Sequence, residues 1–305
     1  MEFFQVAWNL VPSAFLITTP ILLAATGGMI CERAGVVNIA LEGLMVLGAM
    51  TAAVTHFFLF QAGVGLSAPL ALLFAAMVGG LFSLVHAFAS VTLRADQVIS
   101  GTGINLLSLG LTVFVCQLLF NMDRSQPHGG GMRAGLFGFF PTVWMALAIL
   151  ALAWFVMYKR PWGLRLRAAG EHPQALASAG VSVVKIRYMA VVISGLLAGL
   201  AGGSAVLTLD IQFTTTTING MGFIALAAVS FGRWLPFGIL GSSLLFGLAR
   251  ALAVYISNVR ALSAILPSEF FSAMPFVITL VTLIIFSGKD YAPRAIGKPF
   301  DKGKS

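Results

Sequence analysis

Long apolar runs with almost no charge inside them constrain this chain more than any other feature. Of its 305 residues, 59% are hydrophobic and only 9% are charged, whereas soluble domains average about 25% charged residues. Several of the runs reach the roughly 20 apolar residues that a helix needs to cross a bilayer. The composition therefore predicts an all-α, polytopic transmembrane helix bundle and excludes a soluble globular domain.

Hydropathy and charge predict about nine membrane segments, within a range of roughly eight to ten. The seventh is weak, because its continuous apolar part, 223–231, is too short to cross a bilayer, and we expect it to be broken or re-entrant. We divide the chain into a transmembrane domain, 1–288, and a basic tail, 289–305. The predicted segments are 10–30, 36–60, 66–93, 98–120, 139–158, 188–208, 216–232, 237–256 and 270–287.

Positive charge is concentrated in two places. The formal net charge is +8, and eleven of the 18 Lys and Arg residues lie in the loop 159–187 and the tail 289–305. This segregation is typical of cytoplasmic segments beside anionic membrane lipid, and it argues against a nucleic acid partner. The loop 121–138 and the segment 210–220 then fall on the outer side.

A short capped helix is predicted within the basic loop 159–187. Pro173 suits the first helical position, where its missing N–H costs nothing. Gly180 suits the left-handed residue that follows a last helical turn. A short helix on the basic side of a membrane bundle favours a surface that receives force from a soluble partner.

One face of the fourth segment is polar. Its polar and small residues are spaced three or four apart, so they stack on one side of a helix. Because lipid cannot satisfy an amide side chain, this face must look into the bundle or into a wet cavity. Lining of a solute path and hydrogen bonding between helices both remain open. The residues are Gln97, Gly101, Asn105, Ser108 and Thr112.

Two further polar residues, Asn38 and Glu42, lie four apart in the second predicted segment and are expected to share a helix face. A carboxyl group at this depth needs a partner. It could brace a helix break beside Gly43, contact a solute or relay a proton. Asn38 and Glu42, with Gln97, Asn105, Ser108 and Thr112, are the candidates for the translocation path.

Small residues indicate where helices pack closely. Gly195, Gly199 and Gly203 recur every four residues in the sixth segment, and Gly79 and Ser83 have the same spacing in the third. Small residues let helix backbones approach each other in lipid, where larger apolar side chains gain little by leaving the acyl chains. The two stripes predict tight helix contacts.

Enzyme motifs are missing from the sequence. It contains no G-x-x-x-x-G-K-[ST], no H-E-x-x-H, no G-x-S-x-G and no cluster of acids. Cys31 and Cys116 stand at no spacing typical of a metal site or a disulfide framework. We therefore expect no catalytic residue, no metal and no cofactor. If ATP drives transport, the ATPase is a separate chain.

Four stretches carry a family resemblance: 32–43, 95–102 with Asn105, 163–171 with 179–180, and 222–229 with 231–236. Together they resemble the bacterial ABC-importer permeases of the branched-chain amino acid, ribose and nucleoside type. The first and last stretches resemble the nucleoside subgroup, in which two related permeases pair, and the chain is similar in length to the shorter of the two. Two positions depart from the pattern: Cys31 stands in place of Ser, and Met221 in place of a basic residue.

The resemblance implies a permease subunit of an ATP-driven importer in the bacterial plasma membrane, which forms the path for nucleosides. It implies three partners: a cytoplasmic ATPase, a second related permease and an extracytoplasmic substrate-binding protein. The helix within 171–180 would be the coupling helix, seated in a groove of the ATPase. The coupling residues are then Arg165, Glu171, Pro173, Leu176 and Gly180.

Other functions remain as alternatives at this point. Ribose-like sugars or branched-chain amino acids could replace nucleosides as cargo. An ion-coupled secondary transporter would use Glu42 as its titrating group. A membrane enzyme with a buried site is disfavoured because no acids, histidines or cysteines converge.

Overall fold

The structure is a computed structural model that describes residues 2–127, 129–257, 277 and 291–301. Its described part is helical and without strands, and seven of its helices are long and apolar enough to cross a membrane. The predicted helix bundle is thus confirmed. The helices are α1 Glu2–Arg33, α2 Leu41–Gln61, α3 Ser67–Ala87, α4 Gln97–Phe120, α5 Pro141–Lys159, α6 Pro161–Glu171, α7 Pro173–Ser178, α8 Val183–Thr208, α9 Met221–Phe231 and α10 Pro236–Ser257.

Helix α8 lies at the centre and packs against α1, α2 and α3. The predicted glycine stripes meet here. A Cβ atom on Gly79 would lie 2.7 Å from the Gly199 Cα atom, and one on Gly48 would lie 2.6 Å from the same atom. Gly195 faces Ser83 and Gly79 in the same way. The close helix packing predicted from these residues is confirmed.

The second membrane helix begins later than predicted. Residues 34–40 are not helical, and α2 starts at Leu41 rather than near 36. Gly35 turns the chain with a φ of +89°, a conformation that favours glycine. The prediction that Asn38 and Glu42 share one face of a helix was therefore wrong. We call residues 34–40 the α1–α2 break.

The seventh predicted segment is broken, as expected. Its helix, α9, has 11 residues and is about 16 Å long at 1.5 Å per residue, roughly half the thickness of a bilayer core. Non-helical residues 209–220 lead into it from α8. Irregular backbone of this kind is stable at membrane depth only where other parts of the protein cover it.

The predicted cytoplasmic segments converge on one side of the bundle, which we call the basic face. Arg33 at the end of α1 donates from Nε to the Trp234 carbonyl at 3.1 Å. Its Nη1 atom lies 3.8 Å from Glu171 Oε1 at the end of α6. Arg94, in the α3–α4 turn, pairs with Asp301 at 3.1 Å.

The two predicted outer segments meet on the opposite face. Ser125 donates its N–H to the Phe213 carbonyl at 3.0 Å, and Phe213 returns its own N–H to the Ser125 hydroxyl at 2.8 Å. His56, near the end of α2, contacts the Gly130 carbonyl at 2.6 Å. These contacts place the loops 121–138 and 210–220 together, away from the basic face.

The last predicted membrane segment, 270–287, lies outside the described residues except for position 277. The described part of the basic tail, 291–301, packs on the basic face. Its Ala292, Ile296 and Phe300 side chains contact the hydrophobic core. This part of the tail is therefore an integral part of the folded domain.

Candidate translocation and coupling sites

The α1–α2 break is held by side chains from three other helices. Gln97 of α4 accepts the Val37 N–H at 2.7 Å. His86 of α3 contacts the Val37 carbonyl through Nε2 at 3.0 Å, so this nitrogen is the donor. Asn38, fully buried, donates from Nδ2 to the Ser194 hydroxyl of α8 at 2.8 Å. The bonds from Gln97 and His86 satisfy backbone groups that the break leaves without helical partners, and the Asn38–Ser194 bond ties the break to α8.

Asn105 completes this arrangement from α4. Its Nδ2 donates to the Ile39 carbonyl at 3.0 Å, and its Oδ1 accepts the Gly43 N–H at 2.8 Å. One amide side chain therefore spans the junction between the break and the first turn of α2. Because both groups lie at membrane depth, leaving them unpaired would be costly.

Glu42 connects the two broken segments. Its Oε1 accepts the Gly220 N–H at 2.8 Å, and its Oε2 accepts the Gly222 N–H at 2.7 Å. A carboxylate from α2 thus caps the first turn of α9, where free N–H groups and the positive end of the helix dipole favour an anion. Arg250 of α10 adds a favourable Coulomb interaction with Glu42.

The remaining polar residues of α4 also face the bundle. Ser108 and Thr112 are fully buried, and each hydroxyl donates to a carbonyl one turn earlier in its own helix. A Cβ atom on Gly43 would lie 2.7 Å from the Ser108 hydroxyl, so α2 and α4 are in close contact. Asn38, Glu42, Gln97 and Asn105 therefore contact the broken segments directly. Ser108 lies beside the first turns of α2, and Thr112 lies one turn further along α4.

The predicted coupling region, called the coupling region below, is a pair of short helices on the basic face, α6 and α7. Pro173 opens α7, and Gly180 follows it with a φ of +79°, as predicted from the sequence. Helix α6 was not predicted. A Cβ atom on Gly170 of α6 would lie 3.2 Å from the Gly35 nitrogen. The region therefore contacts the α1–α2 break directly.

Leu176 faces inward. Its side chain is 7% exposed and belongs to the hydrophobic core, so it anchors α7 on the bundle. The outward surface of α7 is formed instead by Gln174, Ala175 and Ser178. Arg165 is exposed on α6, and Glu171 is partly exposed beside Arg33.

Comparison with known proteins bears on this architecture. Residues 11–283 match the family model described as "Branched-chain amino acid transport system / permease component". The chain belongs to this permease family. The match covers every helix discussed above except the first turns of α1.

Three relatives show how far the similarity extends. The permease is 41% identical to a guanosine ABC transporter permease protein of Bacillus subtilis, NupQ, over 100% of both chains. It is 38% identical to a nucleoside ABC transporter permease protein of Lactococcus lactis, NupC, over 97% of both. A second guanosine ABC transporter permease protein of Bacillus subtilis, NupP, is 28% identical over 93% of this chain and 83% of its own.

Two buried polar residues of the permease were not singled out from the sequence. Arg187 is 1% exposed and donates to the carbonyls of Ala34 and Lys298. Glu32, also buried, accepts the Trp234 indole N–H at 2.5 Å. Arg187 shares a helix face with Val191 and Ser194, and this spacing is the signal that could have revealed its burial.

Within the ranges that the structure describes, no three His, Cys, Asp or Glu side chains come together as metal ligands.

Proposed function

We propose that this permease is the membrane subunit of a bacterial ATP-binding-cassette importer and that its cargo is a nucleoside. The cargo assignment is supported by relatives named for guanosine and nucleosides, which match the chain over 97–100% of its length. In this proposal the plasma membrane is the location, the basic face is cytoplasmic, and ATP hydrolysis belongs to a separate chain.

The partners follow from the same proposal. An extracytoplasmic binding protein delivers the nucleoside to the face formed by the loops 121–138 and 210–220. A second, related permease completes the path, since Bacillus subtilis has two guanosine permease proteins similar to this chain. A cytoplasmic ATPase contacts α6 and α7 on the basic face.

The observation that carries the mechanism is the pair of broken segments joined by Glu42. Discontinuous helices in transporters border the solute and allow one group of helices to move against another. We propose that Asn38, Glu42, Gln97, Asn105, Ser108 and Thr112 shape the path in this way. Asn38, Glu42, Gln97 and Asn105 hold the breaks at which α2 and α9 begin, and Ser108 and Thr112 continue the buried polar face of α4.

Cargo and energy source can be tested together. Vesicles containing the complete importer should take up labelled guanosine in the presence of ATP, and excess unlabelled nucleosides should compete. Ribose and leucine serve as controls and should not compete. Uptake should persist after collapse of the proton gradient. If leucine or ribose competed and nucleosides did not, the nucleoside assignment would be rejected. If uptake stopped when the proton gradient collapsed, a secondary transporter would be favoured.

The coupling surface is tested on the outward side of α7. Ala175→Asp places a charge on the surface that meets the ATPase and should lower uptake per ATP hydrolysed by about tenfold, since a buried unpaired charge costs at least that factor. Ala62→Asp is the matched control, because Ala62 is exposed in the α2–α3 turn, at the end of the bundle away from α7. Normal coupling in Ala175→Asp would reject this role for α7.

A further inference from the structure

The described C-terminal segment, 291–301, forms a strap across the basic face, and we call it the C-terminal strap. Ala295 donates its N–H to the Gly170 carbonyl of α6 at 2.8 Å. Gly297 donates its N–H to the Gly35 carbonyl of the α1–α2 break at 3.2 Å. Two residues of the strap that are two positions apart therefore bind the coupling region and the α1–α2 break, respectively.

The ends of the strap make further contacts. At one end, the Arg233 guanidinium lies 4.6 Å from the centre of the Tyr291 ring. At the other, the Asp301 carboxylate lies 3.1 Å from Arg94 Nη1, and its main-chain carbonyl accepts from Gln174 Nε2 of α7 at 3.0 Å. The strap thus reaches the α9–α10 turn, the α3–α4 turn and α7.

Apolar contacts fasten the strap between these ends. Ala292, Ile296 and Phe300 are spaced four residues apart, and all three pack against the hydrophobic core. Ala295 is buried as well. Burial of this face in addition to the hydrogen bonds indicates a permanent attachment, because apolar surface removed from water stabilises the docked state.

Arg187 joins the strap to the break. Its Nε donates to the Ala34 carbonyl at 3.2 Å, and its Nη1 donates to the Lys298 carbonyl at 2.8 Å. A guanidinium with 1% exposure is expensive to bury, and its planar fork suits two acceptors at once. The Gly35 turn leaves room for it, since a Cβ atom there would lie 2.8 Å from Arg187 Nη2.

We propose that the C-terminal strap, with Arg187 as its positioning residue, fastens the α6–α7 pair to the α1–α2 break. This inference rests on the proposed function, in which an ATPase displaces α7. The strap makes α6, α7 and the break move as one unit. A displacement of α7 by the ATPase therefore also displaces Asn38 and the first turn of α2.

Truncation gives the first test. A chain that ends at residue 290 lacks the strap, and the matched control ends at residue 301 and keeps it. In the complete importer, guanosine uptake per ATP hydrolysed should fall by about tenfold without the strap, as several hydrogen bonds and apolar contacts are lost together. The control should match the full chain. Equal coupling in both would overturn the proposal.

Point variants decide the matter if the shorter chain does not assemble. Arg187→Gln should lower the same ratio by about tenfold, because one hydrogen bond from a charged group is worth about that factor. Arg187→Lys should recover part of it. Lys185→Gln removes the same charge from an exposed position on the same turn and should have no effect. Unchanged coupling in Arg187→Gln would overturn the positioning role.

A covalent lock tests whether the strap stays attached. Gln174→Cys with Asp301→Cys, in a chain with Cys31→Ser and Cys116→Ser, is joined by a short bismaleimide crosslinker, because the contact between these residues runs from the long Gln174 side chain to the Asp301 carbonyl. The crosslinked and uncrosslinked forms should take up guanosine equally, and inhibition on crosslinking would show that the strap must detach. Ala175→Asp is measured beside these variants. If it uncouples and the strap variants do not, only the strap proposal fails, and if Ala175→Asp is normal, the role of α7 fails.

Discussion

At the scale of single residues, several polar side chains inside this permease bind backbone groups. Asn105, Gln97 and Glu42 each satisfy N–H or carbonyl groups that a break in a helix leaves free. In lipid such groups find no water, so one well-placed side chain can decide whether a break is stable. Three residues that the sequence suggested as path lining therefore stabilise breaks in helices.

Glu42 gives the sharpest prediction at this scale. Glu42→Gln keeps the shape but loses the charge and one of two acceptors at the start of α9, so it should destabilise the purified protein by about 2 kcal/mol. Glu171→Gln is the control. Its partner is 3.8 Å away at a partly exposed site, where ion pairs contribute about 0–1 kcal/mol. Denaturant unfolding in detergent measures both, and equal stability would contradict the capping role.

At the scale of elements, α8 organises the bundle through its glycines. Helix α8 packs against α1, α2 and α3. At its glycines the neighbouring backbones come so close that a Cβ atom would clash with them. Helix α4 is different, because much of its surface is exposed, including Leu106, Phe114 and Leu118. The same composition of small and apolar residues thus serves close packing in one helix and an open face in another.

Two glycine substitutions separate these roles. Gly199→Ala places a Cβ atom 3.1 Å from Gly79 Cα and against the Ala75 carbonyl, which should destabilise the protein by roughly 1–3 kcal/mol. Gly110→Ala on α4 meets nothing within 4 Å and should be neutral or stabilising by up to about 1 kcal/mol. Thermal unfolding of the two variants measures the difference. Equal stabilities would contradict the close contact of α8 with α3.

At the scale of the whole molecule, the basic face gathers the turns that the ATPase is proposed to meet. Beside α7, a cleft of about 460 Å³ is lined by residues of α7, the α3–α4 turn, the start of α8 and the strap. The opposite face holds the paired loops 121–138 and 210–220. The positions of these two faces predict the orientation of the protein in the membrane, with the basic face in the cytoplasm.

Labelling tests that direction. In the background without native cysteines, Ser178→Cys lies on the exposed side of α7 and Arg133→Cys on the exposed opposite loop. A membrane-impermeant thiol reagent added to intact cells should label Arg133→Cys alone, and inside-out vesicles should label Ser178→Cys alone. The reverse pattern would show that the protein has the opposite orientation, and α7 could then not contact a cytoplasmic ATPase.

Local signals in the sequence were sufficient for part of the structure. Asp96 caps α4, with its carboxylate 2.8 Å from the Val98 nitrogen, and Pro173 and Gly180 bound the short helix α7 as predicted. The spacing of the glycines also predicted the close packing of α3 against α8. These features depend on residues close together in the chain, so helix chemistry alone specifies them.

Long-range contacts decided the rest. The break at 34–40 carries no proline, and it exists because Gln97, Asn105 and Asn38 exchange hydrogen bonds across distances of 60 to 156 residues along the chain. The burial of Arg187 likewise depends on a strap 111 residues away. The sequence alone determined that this protein is a helical bundle in a membrane, because lipid permits few other folds. Only the tertiary structure decided where its helices break, because each break is stable only when side chains from distant parts of the chain form hydrogen bonds with its free backbone groups.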